Sequence, residues 1–346
     1  MIAGYPWFGD WGRDTMIGLP GFTIAIGRSE AALRILRTSG HFVSQGMLPN
    51  LFPGAGETPE YNTADASLWF FEAWRAYIAA TGGLTSQRDV YPLLAELIVW
   101  HRRGTCYGIV VDQSDGLLRA GQAVVQVTRM DAKVGELVVT PRIGKPVEIN
   151  ALCVMSEFSG RLGAGDSFAA PAAAARAGFA RFSRPDGEGL YDVIDGSDGA
   201  DSRIRPNQIF AVNLPHSPFS QSAQAGAVDV CRRHLLTSYG LLSLVPGDAE
   251  FRPFYRGGVA ERDGSYHQGP VWDWLLGHYT LAVLRVTRDA IAAQALLEPM
   301  RDALADQWLG TVGEIFDGDP PYEPRGAPAQ TWHMLEAARN ARDDTG

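Results

Sequence analysis

Cysteine is scarce in this chain: Cys106, Cys153 and Cys231 are the only three among 346 residues. They lie far apart, with neither metal-ligand spacing nor the pattern of a disulfide framework, which predicts reduced, structural thiols. Runs of five or six like charges are missing, and the net charge is −9. An acidic chain without a basic stretch has little attraction for phosphate backbones or anionic headgroups, so nucleic acid and membrane surfaces are excluded as partners. No apolar run reaches the roughly 18 to 20 residues that span a bilayer, and the start lacks a basic-then-apolar leader. The chain therefore reads as soluble and cytoplasmic. Glycine-rich phosphate loops and strand–helix alternation are also lacking, which argues against a nucleotide-binding parallel sheet.

What the chain does have is nine Trp and eleven Tyr beside 39 Gly and 21 Pro. Aromatic faces on turn-rich loops suit flat, polyhydroxylated ligands, although Trp and Tyr fill large cores as well. Helical apolar spacing begins at Arg13 with Met16, Ile17, Leu19, Phe22, Ile24 and Ile26. Ser29 is placed to cap a second helix, and Thr63 or Asp65 a third that is apolar on nearly every side. Asp89 is placed to cap the next, and Pro146 stands in the first turn of a helix over residues 145–160. Further helices are predicted over residues 167–183, 223–239, 290–308 and 330–341, and one from Tyr266. Short extended pieces are expected near residues 109–112 and 124–130. About eleven helices joined by alternating short and long loops predict an all-α fold, a closed barrel of helical hairpins. No linker or composition shift divides it, so residues 1–346 read as one domain.

Residues 128–150 concentrate charge, with Asp131, Glu136 and Glu148 among Arg129, Lys133, Arg142 and Lys145. Four places carry candidate chemistry. Asp131 beside Met130 and Ala132 could be a carboxyl whose pKa is raised by enclosure, as a general acid requires; capping a turn toward Lys133 is the alternative. Glu314, ahead of a Pro-Pro turn, could activate a water, or belong to a stiff surface turn. His267, in SYHQGPVWDW, has no second His at helical spacing, so it reads as a hydrogen-bonding group rather than a metal ligand. His216 near Ser217 forms no triad and reads as structural. The opening segment GYPWFGDWGRDT, with Trp7, Asp10, Trp11, Arg13 and Asp14, reads as a ligand wall.

The motifs AGYPWFGDWGRDT, MLPNLFP, YNTADASLWF, MDAKVGELVVTPRIGKPVEINAL, RIRPNQIFAVNLPHSP, YHQGPVW and GEIFDGDPPYEPRGAPAQTW occur in that order. Together they make the chain resemble the glucosidase domain of prokaryotic glycogen debranching enzymes, the amylo-alpha-1,6-glucosidase family. The resemblance implies a six-fold α/α barrel. It also implies inverting hydrolysis of an α-1,6-linked glucose at branch stubs of glycogen or limit dextrin, a branched α-glucan as partner, and no cofactor or metal. Asp131 would be the acid and Glu314 the base. Trp7, Asp10, Trp11, Arg13, Asp14, Tyr61, Asn62 and Asp65 would line the sugar pocket, faced by Arg142, Lys145, Glu148, His267, Gln268 and Trp272. Met1 falls directly before the first motif, where the family carries a β-rich N-terminal domain and a first barrel helix, both expected to be absent here. Arg129 stands where the family has Trp, and a cation aimed at Asp131 would hold it ionised. A glucan-binding module with little catalysis, and a phosphorylase on the same barrel, are the alternative expectations.

Overall fold

A computed structural model describes residues 1–54, 58–154, 168–306 and 310–331. Helices form its bulk. They include α1 (Gly12–Leu19), α2 (Ser29–Gly40), α3 (Asp65–Thr81), α4 (Leu84–Arg103), α5 (Val147–Cys153) and α6 (Ala169–Gly178). Beyond these come α7 (Phe210–Asn213), α8 (Gln221–His234), α9 (Val259–Ser265), α10 (Trp274–Thr287), α11 (Ala290–Ala295) and α12 (Glu298–Asp306). Among the described residues, no helix is long and apolar enough to cross a membrane.

Local chemistry explains where several helices start and stop. The Thr63 hydroxyl accepts from the Ala66 backbone N–H at 3.2 Å, and Asp65 puts its charge in the first turn of α3, against the positive end of the helix dipole. Gly82 ends α3 in the left-handed conformation, which glycine adopts without a Cβ clash. Ser220 caps α8 by accepting from the Ala223 N–H.

Other boundaries differ from those expected. Ser29 lies inside α2 rather than capping it, and α4 begins five residues before Asp89. The helix expected from Tyr266 begins only at Trp274, because Val271 and Trp272 pair with strands on both sides. The helix expected over 290–308 is two, α11 and α12, with Pro299, which has no N–H, in the first turn of α12. Gln330 is in a strand and Thr331 in a turn, and residues 332–341 of the expected last helix lie outside the described residues, as do Ser167 and residues 155–160 of the helix expected over 145–160.

The sheets are small. The extended piece expected near residues 109–112 is the strand Val110–Val111, paired with Leu118–Arg119, and the stretch expected near 124–130 forms only a bridge at Val125. The other strands were not foreseen, because strands this short carry no readable alternation. A three-stranded sheet joins β2 (Lys145–Pro146), β3 (Val193–Gly196) and β4 (Gly199–Asp201). A four-stranded antiparallel sheet has the order β8 (Pro324–Arg325), β7 (Ile315–Phe316), β6 (Val271–Trp272), β5 (Leu241–Leu242). The strand β1 (Gly4–Tyr5) pairs with β9 (Ala329–Gln330), which ties the two ends of the described chain together.

The core sits among the helices. Trp69 on α3 meets Phe210 on α7 edge-on at 5.7 Å, and Phe210 stacks on Trp274 of α10 at 5.6 Å. Such ring pairs add to the burial of apolar area and fix how the three helices sit together. α1 packs on α3, and α5 on α3 and α7. The N-terminal ends of α1 and α3 thereby come close to the loops that precede β6 and β7.

Candidate active site

Arg13, in the first turn of α1, is 2 % exposed. A buried guanidinium needs partners, and it has two carboxylates: its Nε donates to Asp65 Oδ1 at 2.9 Å and an Nη donates to Asp131 Oδ2 at 2.8 Å. Close approach here depends on Gly12, where a Cβ would come within 2.0 Å of the Pro49 carbonyl. Asp131 keeps 24 % of its side chain exposed. Burial alone would raise its pKa, but Arg13, with a smaller contribution from His267, outweighs burial and lowers it. The enclosed, raised acid expected from sequence is therefore not what the ligand-free site holds. His267 Nε2 is 3.8 Å from Asp131 Oδ1, too long for a hydrogen bond but close enough for an electrostatic contact.

The cation beside Asp131 is Arg13 and not Arg129. Arg129 turns away, donating from Nε to Asn207 at 3.0 Å, and sits 5.5 Å over the Trp274 ring.

Glu314 enters from the far end of the chain, immediately before β7, and is buried. The Tyr266 hydroxyl donates to its Oε1, and the Ala327 N–H donates to Oε2 at 2.9 Å. Both bonds orient the carboxylate. Gly326, in a left-handed conformation, lets the chain pass: a Cβ there would lie 2.4 Å from Glu314 Oε2.

These groups surround one open cavity of about 180 Å³. Trp11, Arg13, Asp14, Asn62, Asp131, Trp272 and Glu314, all expected from sequence, line it. Asn50, Arg129, Tyr266 and Gln330 line it too and were not expected there as binding groups. Four buried polar atoms on this wall have no hydrogen-bond partner among the described residues: Asn50 Oδ1, Asn62 Oδ1, Gln330 Oε1 and one Arg129 Nη. Buried polar atoms are almost always satisfied, so this concentration of acceptors and a donor marks where a hydroxyl-rich ligand would bond. Only the folded chain brings them together, although Asn50 stands in the motif MLPNLFP.

The remaining expected residues do not reach this cavity. Trp7 is 66 % exposed and lines a neighbouring cavity. His267 lies behind the wall, stacked on Trp272 at 4.8 Å. Asp10 pairs with the N-terminal amine, and the Tyr61 hydroxyl donates to the Phe42 carbonyl. Asp65 supports Arg13 from beneath. Gln268 accepts from Arg205 at 2.8 Å. Arg142 is buried against Glu148 and Asp192, and Lys145 Nζ lies 2.8 Å from each of Asp112, Asp115 and Asp195. For Arg142, Lys145 and Glu148 the cause is shared: these charges are neutralised inside the protein, and composition cannot tell a buried ion pair from a ligand contact.

Asp14 lines the same cavity and feels the charge of both candidate carboxylates. Burial, with Asp131 and Glu314 nearby, pushes its pKa up to about 7 against the pull of Arg13. Between about pH 4 and pH 7 the folded chain keeps a proton that the unfolded chain releases, so Asp14 lowers stability as pH rises through that window. Asp14→Asn is expected to match the parent in urea unfolding at pH 4 and to exceed it by roughly 2–4 kcal/mol at pH 8. His267, whose burial lowers its pKa to about 4, gives the opposite trend as pH falls, but it is common to both proteins and cancels in the difference.

The chain is 25 % identical to the glycogen debranching enzyme of Saccharomyces cerevisiae, over 82 % of this chain and 25 % of that protein, so it spans about a quarter of that relative's length. Its fold is similar to the GH63 mannosylglycerate hydrolase of Thermus thermophilus solved with Tris and D-glycerate (TM-score 0.66, 14 % identity, 100 % of this chain, 96 % of that one). It also resembles a rhamnosidase from Klebsiella oxytoca with rhamnose bound (TM-score 0.61, 12 % identity, 97 % and 58 % covered). These likenesses place the helix-rich fold in the α/α-barrel class expected from the sequence. The amylo-alpha-1,6-glucosidase family matches residues 1–339, and the chain belongs to that family of glycoside hydrolases.

Proposed function

We propose that the chain hydrolyses single α-1,6-linked glucose residues at the branch stubs of an α-glucan, with inversion at the anomeric carbon. The observation that carries this reading is the meeting of Asp131 and Glu314 in one cavity whose wall offers unpartnered hydrogen-bonding atoms. Two carboxyl groups flanking a glycosidic bond are what such hydrolysis needs. Asp131 gives its proton to the leaving oxygen as the bond to the anomeric carbon breaks. Glu314 takes a proton from the water that forms the new bond on the opposite face.

The two carboxyls are held differently, in keeping with these roles. Glu314, bonded at both oxygens by Tyr266 and Ala327, is fixed as an acceptor. Asp131 is held ionised by Arg13 in the free site. A bound sugar displaces the water at its exposed part, which strengthens the burial contribution and favours the protonated form. The buried pairs Arg142–Glu148 and Lys145 with its three aspartates support the loop that presents Asp131. No step calls for a metal or cofactor.

The glycogen debranching relative favours glucan as substrate. Incubation with a limit dextrin trimmed to single-glucose branch stubs is expected to release free glucose, at a rate that does not depend on inorganic phosphate. A phosphate requirement with glucose phosphate as product would replace hydrolysis by phosphorolysis. Saccharide binding without product would leave a binding module.

A further inference from the structure

We propose that a second cavity beside Glu314 is a subsite for the glucan chain that carries the branch. It is open to solvent, measures about 400 Å³ and shares Phe8 and Glu314 with the first. A glycan longer than one residue therefore meets a continuous surface. The substrate identity rests on the glucosidase reading above; the site itself rests on its walls.

Those walls have the chemistry of carbohydrate recognition. Trp7 presents an exposed indole and Tyr255 a half-buried ring, flat apolar surfaces on which a sugar face can lie. Between them stand guanidinium groups able to donate to hydroxyls. Arg256 lies 4.1 Å over the Phe254 ring and has no carboxylate partner among the described residues. Arg262 sits 6.0 Å from the Tyr255 ring, and its Nε is buried without a hydrogen-bond partner among the described residues. Arg325 is already paired with Asp317 at 2.9 Å.

An anionic ligand is the competing occupant. Glu314 lines the cavity itself, Asp317 and Glu323 act on Arg325, and Asp263 acts on Tyr255, so acids and cations are mixed along its wall. A neutral ligand that both donates and accepts fits this mixture better than a phosphate or carboxylate. Nothing in the residue types demands an anion.

The test compares the parent chain with Trp7→Ala and Arg256→Ala, both changes at exposed side chains that leave the core untouched. Calorimetric titration with maltoheptaose measures the site directly. Each variant is expected to bind about 5-fold more weakly, the size of one lost ring contact or hydrogen bond. In turnover, the KM for limit dextrin divided by the KM for α-glucosyl fluoride, which has no glucan to hold, is expected to rise by a similar factor. Unchanged binding and an unchanged ratio in both variants overturn the subsite, as does a parent that binds no maltoheptaose. A parent that turns over neither substrate overturns the glucosidase reading instead, while the maltoheptaose titration still decides the subsite. Binding that weakens equally for maltoheptaose and inorganic phosphate identifies a general anion site and contradicts the proposal.

Discussion

Replacing Asp131 by Asn is expected to lower kcat on limit dextrin by about 10²–10⁴-fold while saccharide binding persists, because the amide keeps the shape of the side chain and removes its transferable proton. The fold should tolerate the change. Arg13 loses one of its partners but retains Asp65, the buried one at 2.9 Å. Glu314→Gln is expected to lose activity to a similar extent, with the Ala327 N–H still donating to the remaining oxygen and the Tyr266 hydroxyl able to accept from the new amide, which holds the loop. Leaving-group chemistry separates the two roles. Fluoride departs with little help from an acid, so Asp131→Asn should recover much of its rate on α-glucosyl fluoride. Glu314→Gln should not, since water still needs a base. A variant of Asp131 that turns over limit dextrin at the parent rate removes it from the chemistry.

The second large effect is on stability. Arg142, Glu148 and Asp192 form a buried cluster in which no side chain is more than 3 % exposed. Arg142→Met takes away the cation and leaves two carboxylates facing each other in the interior. Breaking a buried pair in this way costs about 3–5 kcal/mol, a large part of the roughly 5–15 kcal/mol that holds an ordinary domain together. The expected result is a fall in the urea midpoint with little change of slope, or failure to accumulate folded protein in cells. Arg142→Met combined with Glu148→Leu and Asp192→Leu removes the stranded charges together and should recover part of the loss. A loss below about 1 kcal/mol for the single variant would show that water reaches these carboxylates.

That cluster also marks where the sequence stops being readable. The charge density of residues 128–150 identified a segment that matters, and Asp131 does reach the cavity. Arg142, Lys145 and Glu148 looked equally suited to a ligand. Their partners Asp192, Asp112 and Asp115 lie 50, 33 and 30 residues away in the chain, and only folding pairs them. Arg129 was the residue expected to disturb Asp131. Its place over Trp274 and against Asn207 depends on helix packing that spacing does not reveal.

Helices were more legible because their signals are local. Asp65 and Gly82 bracket α3, and a reader of the chain can find both. The four-stranded sheet that carries Trp272 and follows directly on Glu314 had no such signal, since its strands are two residues each. Helical periodicity continued through Tyr266 on paper, while the backbone just beyond it was committed to pairing. Likewise, the amide oxygens of Asn50, Asn62 and Gln330 become a recognisable wall only when they are seen unpartnered around one space.

The roles given to Asp131 and Glu314 require them to act on opposite faces of an α-linked glucose, and that requirement has a stereochemical signature. Proton NMR of the parent chain with limit dextrin, taken in the first minutes before mutarotation equilibrates the product, reads it directly. β-Glucose is expected to appear first. Glucose released first as the α-anomer would mean retention and a covalent intermediate, and would contradict the roles assigned to both carboxylates.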